Sequence, residues 1–71
     1  MYVIKVIFKE NIYQEYYYYK GKTFQFNNEK YAAIGSIEYA KKYKSKSVAE
    51  NAAKKLSEKV VNADNIEIEE V

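Results

Sequence analysis

The sequence has no histidine, cysteine, arginine, tryptophan or proline, and only two of its 71 residues are glycine. Without cysteine no disulfide can form, and without cysteine and histidine a zinc site loses its preferred ligands. Histidine is also the most frequent general acid or base in enzymes. Any catalysis would have to depend on carboxylates, lysine or tyrosine, and neither glycine lies in a phosphate-binding loop. We therefore expect no cofactor, no metal and no enzymatic activity.

The length of the chain predicts one domain over residues 1–71. A domain of this size buries only about 60% of its unfolded surface, so its stability is marginal. Small domains commonly gain stability from a disulfide, a metal or a second subunit. Because the composition argues against the first two, we expect a homodimer.

No apolar run in the sequence approaches the roughly 18 residues that indicate a membrane span. The apolar stretch at residues 1–8 is interrupted by Lys5, and no small-residue cleavage site follows it, so we expect no signal peptide. The lack of cysteine is compatible with an intracellular protein. These features predict a cytoplasmic protein with no membrane partner.

The first third of the chain has the pattern of an antiparallel meander. Alternating apolar residues predict strands at Tyr2–Lys9 and Ile12–Tyr19. Glu10-Asn11 is a plausible turn between them. Lys20-Gly21 predicts a two-residue hairpin turn, because glycine accepts a positive φ at no steric cost. A third strand is expected at Lys22–Asn27.

The middle of the chain is less regular. Tyr31–Ile34 fits a helical turn that ends at Gly35. After it, Ile37, Tyr39 and Tyr43 fit either a short strand or one more helical turn. We favour a short fourth strand near residues 38–43.

The last third of the chain predicts a helix and a terminal strand. Ser47 and Glu50 have the spacing of a capping box. An apolar stripe at helical spacing follows from Val48 to about Val61, and Asn62 can end a helix in the left-handed conformation. Residues 66–71 alternate as a strand. The fold class is therefore α+β, an antiparallel sheet of four to five strands with one helix packed on one face, in the order β-β-β-(β)-α-β.

The tyrosine-rich strand places aromatic side chains on both faces of the sheet, because neighbours on a strand point in opposite directions. Two-residue turns would pair Val6 with Glu15 and Tyr17 with Phe24. Three-residue turns would instead flip the second strand and expose Tyr13, Tyr17 and Tyr19. In the two-residue register the inner face holds Tyr2, Ile4, Val6, Phe8, Tyr13, Tyr17, Tyr19, Phe24 and Phe26, and the outer face holds Val3, Lys5, Ile7, Gln14, Tyr16, Tyr18, Thr23 and Gln25.

The outer face has two interpretations. It is either a half-exposed face of residues with high strand propensity or a contact surface for a second copy or another protein. Tyrosine is enriched in protein interfaces, which favours a contact surface. The candidate partner-binding residues are Val3, Lys5, Ile7, Tyr16 and Tyr18.

Two charged segments offer further candidates. Lys41, Lys42, Lys44 and Lys46 precede the helix and suggest an anion or nucleic-acid site, although the lack of arginine counts against it. A solvated charge run is the simpler interpretation. Glu67, Glu69 and Glu70 could form a carboxylate cluster with Asp64. Glu67 and Glu69 share a strand face and could hold Mg²⁺ or Ca²⁺ weakly, but an acidic solvent face on a strand explains these residues better.

The tyrosine hairpin at residues 16–24 and the lysine-rich segment at residues 40–50 resemble parts of small accessory proteins of phages and prophages from low-GC bacteria. These proteins include anti-CRISPR-type inhibitors of bacterial defence. The resemblance implies a non-enzymatic protein that blocks a host protein or sequesters a signal nucleotide.

A second resemblance rests on a three-stranded sheet followed by a helix that opens at residues 43–50. This layout is similar to the arm-type DNA-binding domains of phage integrases, which read DNA with the sheet. The chain departs from them because it lacks arginine and adds an acidic strand at residues 66–71. Both departures argue against DNA binding, so we expect a host protein as the partner.

Overall fold

The computed structural model describes residues 1–10 and 13–71. Within them lies an antiparallel sheet of four strands in the order β3-β2-β1-β4, with one α-helix packed on it, so the predicted α+β fold is confirmed. No helix among these residues is long and apolar enough to cross a membrane. The elements are β1 (Tyr2–Glu10), β2 (Tyr13–Phe26), β3 (Glu29–Gly35), a 3₁₀ turn (Ile37–Tyr39), α1 (Lys46–Lys59) and β4 (Ile66–Glu70).

The second hairpin turns at Asn27-Asn28, so the predicted turn at Lys20-Gly21 was wrong. β2 continues through that position with a bulge between Tyr19 and Thr23, where Gly21 has a φ of +87°. Asn27 and Asn28 have φ values of 51° and 64°. A two-residue turn of this kind needs positive φ at both positions, which asparagine tolerates better than lysine does.

The displaced turn also changes the middle of the chain. Tyr31–Ile34 is not a helical turn but lies within β3, which ends at Gly35. The predicted strand near residues 38–43 is absent among the described residues. A 3₁₀ turn and an isolated bridge take its place, in which Tyr43 and Tyr2 exchange two backbone hydrogen bonds of 2.8 Å.

The first hairpin pairs Glu10 with Tyr13, so Glu10 belongs to β1 and not to a turn. The rest of the predicted turn, Asn11, and the predicted start of the second strand, Ile12, lie outside the described residues. The predicted inner-face position of the Tyr13 side chain also falls outside what the structure describes.

The β1–β2 register differs from the predicted one by two residues. Val6 pairs with Tyr17 and not with Glu15. Because side chains alternate with a period of two, a shift of two residues leaves each one on its predicted face. Tyr16 and Tyr18 therefore lie on the face away from the helix, as expected.

Phe24 and Phe26 lie on the outer face, which corrects their predicted place in the core. The bulge adds two residues to β2, since Tyr19 pairs with Ile34 and Thr23 with Ala32, so even-numbered residues lie on the same face before and after it. Phe24 pairs with Tyr31 and not with Tyr17, and the two rings stack with centroids 5.6 Å apart. Phe24 and Phe26 are 52% and 61% exposed. The predicted outer residues Thr23 and Gln25 lie on the inner face, since Thr23 pairs with the buried Ala32 and Gln25 is two residues further along β2.

The helix begins two residues earlier than predicted. Its N-cap is Ser45 and not Ser47, and the Ser45 hydroxyl accepts a hydrogen bond of 3.3 Å from the Val48 N–H. Val48 is 53% exposed and so does not belong to the buried stripe. The core on the inner face consists of Ile4, Val6, Ala32, Tyr43, Ala49, Ala53, Leu56, Val60 and Ala63.

Asn62 does not end the helix in the left-handed conformation, because α1 ends at Lys59 with Val60 as its C-cap. The Asn62 side-chain amide instead pairs with the outer edge of β3. The Asn62 Oδ1 accepts from the Ala32 N–H at 2.8 Å, and the Asn62 Nδ2 donates to the Ala32 carbonyl at 3.1 Å. The Val61 N–H donates to the Lys30 carbonyl at 3.0 Å. Residues 61–62 thus act as a short partner for this edge.

The sheet is strongly bent at the β2 bulge. Four residues after Val61, the Asn65 carbonyl accepts a 2.8 Å hydrogen bond from the Ile7 N–H, and four residues span at most about 14 Å. On β2, Lys30 pairs with Gln25 and Ile7 pairs with Tyr16. These two positions are nine residues apart, which is roughly 30 Å in a straight strand. The bend brings the β2–β3 hairpin towards the end of the helix.

Candidate functional site

The predicted partner-binding residues are less accessible than the sequence suggested. Val3, Ile7 and Tyr18 are buried, Lys5 is half-buried, and only Tyr16 is largely exposed, at 53%. Val3 and Ile7 have short side chains beside longer ones on the neighbouring strands, Glu69 opposite Val3 and Tyr16 opposite Ile7. The prediction that all five residues present themselves to a partner is corrected to Tyr16 and part of Lys5.

Four of the outer-face side chains form a closed network across three strands. The Lys5 Nζ lies 3.4 Å from the Glu69 Oε1 and 4.4 Å from the centroid of the Tyr16 ring. The Tyr18 hydroxyl donates to the Glu69 carboxylate at 3.2 Å. The Tyr16 and Tyr18 rings meet edge to face with centroids 6.2 Å apart. The charge of Lys5 and the hydroxyl of Tyr18 are therefore already satisfied within the protein.

The electrostatics of this network keep Lys5 and Tyr18 in their ordinary protonation states. Burial raises the pKa of Tyr18, and the hydrogen bond to Glu69 raises it further. Desolvation lowers the pKa of Lys5, but the interaction with Glu69 outweighs it and the net shift is upward. Near neutral pH the phenol stays neutral and the ammonium stays charged, so neither group is set up for proton transfer.

The backbone hydrogen bonds reveal an open sheet edge beside Tyr16. In an antiparallel pair, residues alternate between bonding one neighbouring strand and the other. The Ile7 N–H bonds Asn65 and the Met1 carbonyl bonds Val71, so odd-numbered β1 residues face β4 and even-numbered ones face β2. Since Val6 pairs with Tyr17, the even-numbered residues of β2 point away from β1.

Of these outward-pointing β2 residues, Tyr18 meets Gly35, the last residue of β3. Gln14 and Tyr16 lie beyond the end of β3. Among residues 1–10 and 13–71, neither has a backbone partner for its outward N–H and C=O. We call residues 14–17 the open edge.

An apolar groove of ≈ 450 Å³ lies beside the open edge. It forms because the chain leaves the sheet at Ser36 and enters the 3₁₀ turn, so nothing from the described residues continues β3 along β2. Its walls combine aromatic and aliphatic side chains with the strand backbone. The lining residues are Tyr16, Tyr17, Tyr18, Ile34, Gly35, Ser36 and Ile37.

Glu15 is the only charged residue in the open edge, whose other members are Gln14, Tyr16 and Tyr17. It is exposed and lies opposite Phe8, on the inner side of the strand. The Tyr17 hydroxyl donates to the Glu15 Oε2 at 3.2 Å, and this hydrogen bond raises the pKa of Tyr17. Within the described part of the chain, Glu15 has no ion-pair partner.

The other two edges of the sheet are protected in different ways. The outer edge of β3 is covered by Val61 and Asn62. The outer edge of β4 carries three glutamates in a five-residue strand. Charged side chains of this kind discourage pairing with another strand. Within residues 1–10 and 13–71, no covering segment protects the open edge of β2, and Glu15 is its single charged side chain.

The predicted basic segment is exposed at Lys41, Lys42, Lys44 and Lys46. The bend in β2 brings further lysines next to it. The Lys41 N–H donates to the Tyr19 carbonyl at 3.0 Å, and the Lys41 side chain packs over Gly21. Lys20 and Lys22, which flank Gly21, therefore lie near Lys41, and the Lys20 Nζ is 5.9 Å from the ring centroid of the exposed Tyr39.

Several residues of the site were not recognised in the sequence, namely Glu15, Ile34, Ile37, Lys20 and Lys22. One signal was present: two adjacent asparagines fit a turn that needs two positive φ values. Placing the turn there would have identified β3 and the point where it ends. The burial of Val3 and Ile7 has no comparable local signal.

The chain matches no protein-family model, no curated protein and no solved structure. Among residues 1–10 and 13–71, no three acidic side chains come together in a way that could hold a metal ion. Glu69, which the sequence offered as a weak ligand, is engaged by Lys5 and Tyr18. The open edge and its groove are thus the feature with the clearest capacity for binding.

Proposed function

We propose that this chain is a non-enzymatic recognition module that binds an extended segment of a partner protein along the open edge of β2. The observation that carries this proposal is that the outward N–H and C=O groups of Gln14 and Tyr16 have no backbone partner among the described residues and lie beside an apolar groove. Addition of a strand to a free sheet edge is a recurring mode of peptide recognition. Main-chain hydrogen bonds supply affinity, and side-chain pockets supply specificity.

The groove has to contribute a large share of the affinity. Two residues offer two N–H and two C=O groups, and each new hydrogen bond contributes about 0.5–1.5 kcal/mol net. Together they give about 2–6 kcal/mol, whereas micromolar binding needs about 8 kcal/mol. Apolar contacts with Tyr16, Ile34 and Ile37 are the available source of the remainder.

The partner and the biological role follow from the resemblance to small phage accessory proteins. We propose that the partner is a host protein, that binding inhibits or modulates it, and that this occurs in the cytoplasm. The homodimer expected from the small size of the chain stays a prediction.

A proline at position 14 tests strand addition. Proline has no N–H, and the Gln14 N–H points away from β1, so Gln14→Pro removes a donor from the open edge without breaking a β1–β2 hydrogen bond. Gln14→Ala is the matched control, since it keeps the N–H. A randomised library of eight-residue peptides provides the probe, and NMR titration of the selected peptides provides the readout.

We expect the selected peptides to shift the amide signals of Gln14, Tyr16 and Ile37. We also expect Gln14→Pro to weaken binding at least about tenfold, while Gln14→Ala has little effect. Peptides that perturb another surface, or bind the proline variant equally well, would show that strand addition at this edge is wrong.

A second candidate function is binding of single-stranded nucleic acid, favoured by the proximity of Lys20 and Lys22 to Lys41 and by the exposed Tyr39. A basic surface with aromatic side chains is the usual arrangement for such binding. If this function is real, affinity for a twelve-nucleotide strand will fall steeply with salt.

The matched test compares Lys41→Glu/Lys42→Glu with Lys54→Glu/Lys55→Glu, which makes the same charge change on the exposed face of α1. The nucleic-acid function predicts that only the first pair weakens binding strongly. No binding at low salt would eliminate this candidate.

A further inference from the structure

The open edge is poorly suited to pairing with a second copy of the same chain. Among the described residues, all four free backbone groups find partners between two antiparallel copies only if Gln14 of each pairs with Tyr16 of the other. This register places Glu15 directly opposite Glu15 of the second copy. Residues opposite each other in such a pair have Cβ atoms about 4.5–5.5 Å apart, and like charges there are destabilising.

The alternative register pairs Tyr16 with Tyr16 of the second copy. It leaves the Gln14 groups unpaired, because Gln14 would then face Tyr18, whose outward groups already meet Gly35. Only half of the available hydrogen bonds would form. Self-pairing between residues 14–17 of two copies therefore incurs either charge repulsion or unused hydrogen-bonding groups.

The same geometry indicates what the edge does accept. Glu15 is exposed, lacks an ion-pair partner among the described residues, and is oriented by the Tyr17 hydroxyl at 3.2 Å. A partner residue opposite Glu15 lies on the inner side of the strand. The two residues flanking it point to the outer side, beside the exposed ring of Tyr16.

We infer that the open edge selects an extended segment with a lysine or arginine opposite Glu15 and an apolar residue on each side of it. This inference rests on the proposed strand addition and adds the partner's chemistry to it. Glu15 then has two roles: it attracts a basic strand, and it prevents two copies from pairing through their own edges.

Two matched peptides test this selection. Both have seven residues with alternating valine and threonine, and they differ only in a central lysine or a central glutamate. An opposite-charge pair across strands is a modest interaction, so we expect the lysine peptide to bind about five- to tenfold more tightly, as measured by NMR titration. Glu15→Lys should reverse this preference, whereas Glu70→Lys, the same change on the β4 edge, should preserve it.

The possible outcomes separate the two proposals. Equal binding of both peptides, with shifts at Gln14 and Tyr16, would overturn the charge selection while leaving strand addition in place. Reversal by Glu70→Lys and not by Glu15→Lys would also overturn it, by assigning the selection to β4. If neither peptide shifts Gln14 or Tyr16, both proposals fail.

Sedimentation provides a second readout that needs no partner. Glu15→Gln removes the repulsion, so we expect this variant to self-associate more strongly than the unsubstituted protein. Adding Gln14→Pro to Glu15→Gln should abolish the gain. If the unsubstituted protein already dimerises in a manner that Gln14→Pro disrupts, Glu15 does not prevent self-pairing and the inference is wrong.

Discussion

Replacing Asn62 with alanine removes the side chain that covers the outer edge of β3. Asn62 makes two hydrogen bonds to Ala32, at 2.8 Å to its N–H and 3.1 Å to its carbonyl, in a partly buried environment. Each contributes about 1 kcal/mol net. We therefore expect Asn62→Ala to lower the free energy of unfolding by about 2 kcal/mol. The loss will be larger if no water replaces the two hydrogen bonds to the Ala32 N–H and C=O.

For a domain of this size, a loss of about 2 kcal/mol lowers the melting temperature by roughly 8–16 °C. Urea unfolding followed by circular dichroism measures the change, and the m-value should stay constant if the native fold is kept. Asn51→Ala, on the exposed face of α1, is the control and should change stability by less than about 0.5 kcal/mol. A loss below about 0.5 kcal/mol for Asn62→Ala would refute its role as a partner for β3.

Other predictions concern the core, the bulge and alkaline pH. Leu56→Ala should cost about 2–5 kcal/mol by urea unfolding, because Leu56 is buried in the core, while the exposed Val48→Ala should cost little. Gly21→Ala should cost about 1–3 kcal/mol, because φ is +87° and a Cβ would lie 2.8 Å from the Lys41 side chain, whereas Gly35→Ala meets only the flexible Lys20 chain. Burial raises the pKa of Tyr18 above its usual 10, so the phenol ionises at lower pH in the unfolded chain than in the folded one. The contribution of Tyr18 to the free energy of unfolding should be fully present below about pH 10 and be lost as the pH rises through the folded-state pKa. Tyr18→Phe should make this decline shallower.

The elements with a clear internal period were predictable from the sequence. β1, α1 and β4 each show an alternating or helical pattern over most of their length, and the structure changes their ends by at most two residues. The β2–β3 hairpin was not predictable in the same way. Lys20-Gly21 and Asn27-Asn28 both fit a two-residue turn, and the choice depends on whether Lys20 must adopt a positive φ.

The candidate site was predictable only in part. Tyr16 was identified because alternation along a strand is local information. The open edge depends on where β3 stops and where the chain leaves at Ser36, which local patterns do not determine. Val3 lies opposite Glu69 of β4 and Ile7 opposite Tyr16 of β2, so the burial of these two residues is a property of the assembled sheet.

Amide hydrogen exchange along β2 tests the central claim most directly. The account predicts an alternating pattern in the free protein: Gln14 and Tyr16 exchange quickly, whereas Glu15 and Tyr17, whose N–H groups face β1, are slowed by roughly a hundredfold or more. A bound peptide should then slow amide exchange at Gln14 and Tyr16 without changing the relative exchange rates of the other β2 amides. If Gln14 and Tyr16 are as protected as Glu15 and Tyr17 in the free protein, the edge is not open and the proposed mode of recognition is wrong.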